Sequence, residues 1–302
     1  MGEGYRALRH GVARLDLSAR GRIRVTGRDR ARLLHNVTSN EVKKLAPGSG
    51  CYAFLLTPQG RIQADLYLLC FPDHFLIDTE PELREKVPRL ILKYKVADQV
   101  ELEDITDHSF AIGLEGPEAV AALAAAGAPV PATPYMQLPW DQWIVANMTE
   151  TGEPGFRVFG EGPAPALFAG IPAATEADAR RVRIENGRPR FGEDIRETTL
   201  PQESGQMHAV DFQKGCYIGQ EIVERIRARG HVNKKLVRLA IENAEAPPPG
   251  TTLTADGQEA GEITSAVYSP ELEHVAAMGF VRLAYAEAGK VLDAGGVAAK
   301  VV

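Results

Sequence analysis

The fold of this chain is indicated most clearly by one short stretch, Lys214-Gly215-Cys216-Tyr217-Ile218-Gly219-Gln220-Glu221. Its two glycines allow the backbone to turn tightly and to approach a ligand closely. Apolar residues at positions 222, 223 and 226 recur at helical spacing, which predicts a helix beginning at Gln220. Cys216 then lies just before a helix N-terminus with Lys214 nearby, a setting that favours the reactive thiolate. The alternative is a buried structural cysteine, the commoner fate of a lone one.

Upstream of this stretch, short strands alternate with short helices. Polar–apolar alternation predicts strands over residues 22–25, 52–56, 61–70, 74–78, 100–105, 110–114, 143–147 and 156–159. Cap and turn residues predict helices that open at Thr26 and that cover residues 39–46, 82–94 (with a break or kink at Pro88), 117–126 and 176–186. Hairpins mixed with helices indicate an α+β fold rather than a doubly wound parallel sheet.

Downstream of the stretch, the chain changes character. Short strands are predicted over residues 236–241, 251–254, 259–265, 275–281 and 297–301, and Asp256-Gly257 is a strong signal for a two-residue hairpin. These features indicate a small all-β barrel or sandwich. With a boundary placed near Val232, the expected domains are 1–232, composed of two interleaved α+β lobes, and 233–302.

Composition excludes several classes of protein. The chain has 302 residues, 44% of them hydrophobic and 25% charged, which is ordinary for a globular protein and excludes wholesale disorder. Three cysteines exclude a disulfide scaffold and fit a reducing cytosol, so we expect a cytoplasmic protein. The first residues are charged and show no signal peptide, and no apolar run is long enough to cross a membrane, so no membrane partner is expected.

Basic residues form two clusters although the net charge is −6. The first comprises arginines at 20, 22, 24, 28, 30 and 32, and the second comprises Arg225, Arg227, Arg229, Lys234, Lys235 and Arg238. The clusters are compatible with a groove that accepts a polyanionic small molecule or RNA. The alternative is a set of solvated faces paired with neighbouring acids.

Most catalytic signatures are absent from the sequence, including a P-loop, HExxH, CxxC and Gly-x-Ser-x-Gly. The seven histidines lack the spacing of metal ligands, so no metal site is expected. Glu185 follows Arg183 at a helix end, next to a Gly/Pro turn. A carboxylate there can accept paired N–H donors from a heterocycle, although the negative end of the helix dipole disfavours it. The alternative is a helix-terminal residue exposed to water.

Taken together, these segments resemble the YgfZ-type folate-binding proteins, relatives of the glycine-cleavage T-protein (aminomethyltransferase). The Cys216 motif matches the signature of that family. Other stretches look like the family's landmarks in the right order, namely residues 25–30, Leu34-His35-Asn36-Val37-Thr38-Ser39-Asn40, residues 183–187, 200–203, 263–265 and Ser269-Pro270. The resemblance implies a T-protein-like, three-lobed ring of domains with a central tetrahydrofolate site. It also implies a role in making or repairing iron–sulfur proteins.

The resemblance further implies roles for individual residues. Glu185 falls where the T-protein has its pterin-contacting glutamate, and Tyr52 falls on a tyrosine before a paired-aspartate segment. That pair is here Ala64-Asp65, and Asp78 stands where the T-protein has an asparagine. The loss of one acid argues against aminomethyl transfer, which needs a carboxylate near the folate nitrogens.

The function expected from the sequence is therefore reduced-folate binding in support of iron–sulfur client or assembly proteins, with Cys216 as the functional thiol and Lys214 beside it. Whether there is turnover is left open. The alternative functions are a folate-dependent one-carbon transferase and an RNA-binding module.

Overall fold

The computed structural model describes residues 2–166, 168–230 and 232–302 of the protein. Its strands are, in chain order, β1 (Ala13–Asp16), β2 (Gly21–Thr26), β3 (Gly50–Leu56), β4 (Ile62–Cys70), β5 (Phe75–Thr79), β6 (Glu101–Asp104), β7 (Ser109–Glu115), β8 (Gln137–Trp140), β9 (Trp143–Ala146), β10 (Gly155–Glu161), β11 (Lys234–Ile241), β12 (Thr252–Ala255), β13 (Gln258–Ser269), β14 (His274–Arg282), β15 (Val291–Asp293) and β16 (Ala298–Val301). Its helices are α1 (Glu3–His10), α2 (Arg30–Val37), α3 (Lys86–Leu92), α4 (Ala119–Ala125), α5 (Glu176–Glu185) and α6 (Gln220–Arg229).

The first sheet has the strand order β3-β4-β5-β2-β6 and is antiparallel throughout. Its strands form because β-branched and aromatic residues alternate along them, and the apolar side chains of α2 and α3 join the same core, as the fully buried Leu34 and Ile91 do. Within the described residues, β3 and β4 are buried along almost their whole length. This sheet is thus the rigid platform of the N-terminal half.

The second sheet has the order β1-β7-β10-β9-β8. On one side it packs against α4, where Leu123 is fully buried. From the same sheet, Ala111, Ala146 and Phe159 belong to the core cluster of the first sheet. The two sheets therefore face each other across a shared core, and any polar groups on their inner faces are enclosed.

The C-terminal region is a closed antiparallel barrel with the order β11-β14-β13-β12-β15-β16. Asp194 attaches it to the rest of the chain, because its carboxylate accepts hydrogen bonds from Thr264 Oγ1 at 2.7 Å and from Ser265 Oγ at 2.6 Å. The other oxygen of Asp194 pairs with Arg183 on α5 at 2.6 Å. A small all-β barrel is what the sequence predicts here, and a short strand at 291–293 was not anticipated.

Two local predictions were wrong. Residues 39–46 are not helical: Thr38 pairs with Leu55 and Ser39 N donates to Phe54 O, so the chain runs beside β3 instead. Pro88 neither breaks nor kinks a long helix, because it lies in the first turn of a shorter one, where its missing N–H has no intrahelical partner. The N-terminal residues, for which the sequence analysis assigned no element, form α1.

Helix α6 begins where the sequence predicts, and its first turn packs against the turn between β3 and β4. Gly219 precedes it with a positive φ of 83°, and a Cβ there would lie 2.5 Å from the Thr57 carbonyl oxygen. A Cβ at Gly60 would lie 3.0 Å from Ile222. Both glycines are required for this close approach of two backbones.

Candidate functional site

The inner face of the first sheet carries a row of polar side chains. Tyr52 on β3 is opposite Tyr67 on β4, which is opposite Asp78 on β5. Asp65 lies two residues before Tyr67, and side chains two apart on a strand project from the same face. Tyr52 Oη donates to Asp65 Oδ2 at 2.7 Å, and the two tyrosine ring centroids are 5.1 Å apart. The structure thus brings together three of the residues singled out in the sequence.

Asp78 is completely buried between two arginines. Arg20 Nε donates to its Oδ1 at 2.8 Å, and Nη1 of Arg157 on β10 lies 2.7 Å from the same oxygen. Arg20 also donates to Glu80 at 2.6 Å and to Glu150 at 3.2 Å. This ion-pair cluster joins the two sheets, so Asp78 supports the wall of the site from behind.

The remaining wall comes from the segment between α5 and α6. Arg188 Nη2 donates to Tyr67 Oη at 2.5 Å, and no carboxylate of the described residues lies within 4.0 Å of this guanidinium. The His208 ring stacks on Tyr52 with centroids 5.3 Å apart and planes 24° apart. An aromatic surface and a cation without an ion pair therefore face the carboxylates of the sheet.

These side chains surround an inner cavity of about 20 Å³, room for a single water molecule. A wider outer cavity of about 500 Å³ adjoins it, lined also by residues of β1, the loop after β1, and α5. Four charged residues border both cavities: Glu80, Glu150, Arg183 and Arg190. Small-molecule sites typically measure roughly 300–1,000 Å³. The outer cavity is therefore large enough for a small molecule, whereas a ring system enters the inner cavity only if its lining side chains move apart.

Two buried acids of this site, Asp65 and Glu150, have very different pKa values. Burial and the nearby Glu80 raise the pKa of Asp65 to about 7, although the Tyr52 hydrogen bond opposes the rise. Burial alone would also raise the pKa of Glu150, but Arg20, Arg157 and Arg188 outweigh it and hold that pKa at about 2. Asp65 is thus poised to change its charge near neutral pH while Glu150 stays ionised.

Glu185 lies outside both cavity linings. Its Oε1 accepts a 2.7 Å hydrogen bond from Tyr5 Oη on α1. Its Oε2 is buried and, among the described residues, has no hydrogen-bond partner, with Arg9 Nε 3.6 Å away. Glu185 is therefore not the water-exposed residue of the alternative interpretation, and the structure does not bring it together with Tyr52 and Asp65.

Cys216 is exposed, but the residues around it are anchored. Lys214 is buried, and its ammonium donates to the carbonyl oxygens of His35 at 2.5 Å, Thr38 at 2.6 Å and Asn40 at 2.8 Å. Its charge thus satisfies the end of α2 and the loop after it, rather than serving Cys216 as the sequence suggested. Burial lowers the pKa of Lys214 to about 8. Tyr217 is buried on the other side, so a fixed loop presents an outward-facing thiol.

Asn40 connects this loop to the cavity. Its amide nitrogen donates to Tyr52 O at 2.8 Å and to His208 O at 2.9 Å, while its own carbonyl accepts from Lys214. The backbone of β3, the cavity wall and the Cys216 loop therefore meet at a single residue, through its side-chain amide and its backbone carbonyl.

The other two cysteines lie in strands of the first sheet and are buried, as their apolar surroundings predict. Burial raises the pKa of Cys51 to about 12 and also raises that of Cys70. Of the three thiols, Cys216 is the accessible one.

The basic clusters are largely paired with neighbouring acids. Arg24 contacts Glu103 and Glu161, and Arg32 contacts Asp29 and Asp98. Arg22 is fully buried and donates to backbone carbonyls. In the second cluster, Arg225 and Arg227 pair with glutamates of α6, and the Arg229 side chain lies outside the described part of the chain. These pairings favour the solvated-face interpretation, and RNA contact has no support in them.

Two kinds of feature are absent from the described residues. No group of three or more His, Cys, Asp or Glu side chains is arranged to hold a metal ion. Helices long and apolar enough to cross a membrane are likewise absent from the described ranges.

The sequence analysis named Arg20 only as part of a basic cluster, and it missed several other residues of the site, namely Tyr67, Glu80, Glu150, Arg188 and His208. Tyr67 and Glu80 could have been predicted. Each lies two residues after a residue already singled out, Asp65 and Asp78 respectively, and side chains two apart on a strand share a face. The others come from distant loops and carry no local signal.

Two family models match the chain. The GCVT N-terminal domain matches residues 1–214, and the glycine cleavage T-protein C-terminal barrel domain matches residues 234–302. Several bacterial aminomethyltransferases are similar to the chain, such as that of Rubrobacter xylanophilus, with 29% identity over 92% of this chain and 78% of its own. The mitochondrial iron-sulfur cluster assembly factor IBA57 homolog of Mycosarcoma maydis is 29% identical over 78% of this chain and 59% of its own.

Among solved structures, the glycine cleavage system aminomethyltransferase T from Bartonella henselae superimposes with a TM-score of 0.89. The match covers 99% of this chain and 87% of that one at 21% identity, and at that identity the likeness concerns the fold alone. The predicted T-protein-like architecture with a small C-terminal β-barrel is confirmed.

Proposed function

This chain belongs to the glycine cleavage T-protein family, and on that premise we propose that it is a cytoplasmic tetrahydrofolate-binding protein of the YgfZ type that assists the synthesis or repair of iron–sulfur proteins. The observation that carries the folate part is the donor and acceptor set of the inner cavity. Acids and aromatic rings line one wall, and Arg188, a guanidinium without an ion pair, lines the other.

This set fits the chemistry of a reduced folate. The pterin head is flat and rich in N–H groups, so it suits the Tyr52–His208 stack and the Asp65 carboxylate. The glutamate tail is anionic and extended, and the wider outer cavity offers it Arg180 and Arg190, which in this structure pair with glutamates and would have to exchange them for the tail. When bound, a tetrahydrofolate would supply a carrier for one-carbon units. The residues of this chain bind and orient it and shield it from water.

Glu185 offers a further acceptor if the α1 helix shifts. Its buried Oε2 lacks a hydrogen bond among the described residues. An unsatisfied buried carboxylate oxygen is costly, and a ligand N–H would satisfy it. We therefore retain Glu185 as a proposed pterin contact, alongside the cavity residues.

The iron–sulfur part of the proposal rests on Cys216. An exposed thiol between two buried anchors, Lys214 and Tyr217, is presented at a fixed place on the surface. Thiolates are the ligands and nucleophiles of iron–sulfur chemistry. The similarity to an iron-sulfur cluster assembly factor homolog over 78% of the chain supports the same role.

A second candidate is folate-dependent aminomethyl or other one-carbon transfer. The observation in its favour is Asp65, whose pKa is raised by burial to about 7 and which can therefore exchange a proton near neutral pH. Against it stands Ala64, which is fully buried and supplies no second acid.

Titration of the pure protein with tetrahydrofolate tests the ligand. We expect saturable binding that weakens roughly ten- to hundredfold in Arg188→Gln, because a charge-assisted contact is lost. Arg84→Gln, on an exposed pair with Asp107, serves as the control and should bind normally. Equal affinity in all three proteins would remove the inner cavity from the proposal.

A complementation experiment tests whether the protein supports iron–sulfur client enzymes through Cys216. Cys216→Ala should keep the thermal melt of the wild type yet fail to support iron–sulfur enzymes in cells that lack the native protein. Cys70→Ala is the matched control, and it should support them. In the wild-type protein, an alkylating agent at neutral pH should label Cys216 well before Cys51 and Cys70, read by mass spectrometry of the peptides. Full support by Cys216→Ala would overturn the thiol's role.

A further inference from the structure

An exposed surface that mixes apolar and basic side chains lies at the end of α3. Beyond Leu92 the chain continues in turns, in which Lys93 N donates to Arg89 O at 3.1 Å and Lys95 N donates to Leu92 O at 3.1 Å. Arg89, Leu92 and Lys93 therefore share one face, because residues three and four apart are neighbours on a helix. All three are exposed, as are Lys95 and Val96. We call these five residues the α3 surface.

A cleft of about 90 Å³ opens beside the α3 surface, with Lys93 in its lining. Most of its other lining side chains are apolar and come from α2, β3, the turn after β3 and α3, namely Val37, Leu55, Leu56, Pro58, Leu90 and Tyr94. One water needs only about 10–15 Å³, together with polar partners. The cleft therefore suits a single aliphatic side chain. Close to it, Leu92 is 42% exposed and Val96 is 93% exposed, so further apolar contact area is available.

The cations of the α3 surface are not paired with acids. Within the part of the chain that the structure describes, no carboxylate lies within 4.0 Å of Arg89, Lys93 or Lys95. Arg89 Nε donates to the backbone oxygen of Glu85 at 3.1 Å, and the Lys93 ammonium lies 5.7 Å from the centroid of the Tyr94 ring. In a chain of net charge −6, three such cations beside an apolar cleft produce a local positive potential that attracts an anionic partner.

The cleft lies near the Cys216 loop. Thr57 lines it, and a Cβ built at Gly219 would lie 2.5 Å from the Thr57 carbonyl oxygen. Because neighbouring Cα atoms are about 3.8 Å apart, the Cα of Cys216 is within roughly 16 Å of that oxygen. A standard protein interface covers about 800 Å² on each partner, which is wide enough to span that distance. A protein seated on the cleft therefore reaches the neighbourhood of the thiol.

We propose that the α3 surface and its cleft dock a client or assembly protein through an acidic segment that carries one exposed aliphatic side chain. The aliphatic side chain fills the cleft, and the flanking carboxylates pair with Arg89, Lys93 and Lys95. The proposal deepens the proposed function and rests on it only for the kind of partner. An anionic membrane fits less well, because the net negative charge of the chain opposes it and two exposed apolar side chains offer little area to insert.

Fluorescence anisotropy of the full-length protein with a labelled ten-residue peptide, made of glutamates and aspartates around one central leucine, tests the proposal. We expect saturable binding that weakens at least roughly tenfold between about 50 mM and about 500 mM NaCl, because salt screens exposed charges. A peptide with glycine in place of the leucine should bind roughly tenfold more weakly, because the burial of one aliphatic side chain is lost.

Lys93→Glu/Lys95→Glu should bind the leucine peptide at least roughly tenfold more weakly than the wild type, because two attractive contacts become repulsive. Lys290→Glu/Lys300→Glu reverses two exposed lysines of the barrel and changes the net charge by the same amount, so it is the matched control and should bind normally. Should Lys93→Glu/Lys95→Glu fail a thermal-melt check, Lys93→Ala/Lys95→Ala replaces it, with weaker binding again expected.

Equal affinity in the wild type and the α3-surface variant, equal affinity for the two peptides, or no saturable binding of the leucine peptide would each overturn the proposal. Cosedimentation with phosphatidylserine vesicles tests the membrane. If the wild type sediments with them in place of binding the peptide, and the α3-surface variant does not, the surface is a membrane contact and the proposal is overturned. Because the readouts use neither folate nor Cys216, their failure is distinguishable from failure of the proposed function.

Discussion

The phenol of Tyr52 donates a 2.7 Å hydrogen bond to Oδ2 of Asp65 on the neighbouring strand. This bond stabilises the ionised form of an acid that burial and Glu80 push towards neutrality. The result is a carboxyl group whose charge is decided near physiological pH, inside the cavity that we assign to folate.

The first prediction concerns the stability of this acid. In the folded protein, burial raises the pKa of Asp65 to about 7, whereas an unfolded aspartate titrates near 4. Its stabilising contribution is therefore full below about pH 4 and is lost as the pH rises through 7. Asp65→Asn cannot ionise, so its melting temperature should gain several degrees on the wild type between pH 5 and pH 8.

Thermal melts at the two pH values measure this difference. Asp73→Asn, on an exposed turn where the His74 hydrogen bond lowers the pKa of Asp73, is the control and should show no such gain. A constant difference between Asp65→Asn and the wild type would contradict the assignment.

The second prediction separates Asp78 from the ligand. Asp78→Ala removes one of the two carboxylates that Arg20 and Arg157 share, the other being Glu150, and breaking a buried pair costs about 3–5 kcal/mol. Urea unfolding should show this loss. Asp107→Ala, at an exposed pair with Arg84, should cost less than about 1 kcal/mol. A stable Asp78→Ala protein that no longer binds folate would show instead that Asp78 touches the ligand.

The third prediction concerns Glu185. Glu185→Ala should weaken tetrahydrofolate binding by about 1.5–3 kcal/mol, or roughly ten- to hundredfold, if Oε2 receives a pterin N–H. Isothermal titration gives the affinity. Glu153→Gln alters another acid that pairs with Arg9 and should leave affinity unchanged. Wild-type affinity in Glu185→Ala would show that Glu185 serves only to hold Tyr5.

The fourth prediction concerns turnover. With Ala64 in place of an acid, incubation with tetrahydrofolate and an aminomethyl donor should yield no measurable methylene-tetrahydrofolate. Repeated turnovers that disappear in Asp65→Asn would move the protein into the transferase class and would make Asp65 its catalytic acid–base group.

Much of the fold follows from local patterns. Strands β3, β4 and β5 were predicted nearly to their ends, because alternating apolar residues and the turns at Gly60 and Pro72 are local signals. Residues 39–46 were mispredicted as helix because the cause of their conformation is distant: Ser39 Oγ donates to Ala209 O and accepts from Phe54 N. These long-range hydrogen bonds outweigh the weak preference of residues 39–46 for a helix.

The site was predictable in part for the same reason. Tyr52, Asp65 and Asp78 were placed together through a family resemblance, and strand periodicity explains why they share a face. Lys214 was expected beside the thiol because it is two residues from it in sequence. Its ammonium donates instead to three backbone carbonyl oxygens. A buried ammonium needs hydrogen-bond acceptors, and an exposed sulfur would not supply them.

The segment from Gln206 to Cys216 begins in the cavity wall and ends at the exposed thiol, and Asn40 ties it down between them. We therefore expect that a ligand which displaces the His208 ring from Tyr52 also disturbs the hydrogen bonds of Asn40 to His208 and Lys214. The rate at which an alkylating agent labels Cys216 at the surface should therefore change when a ligand occupies the inner cavity.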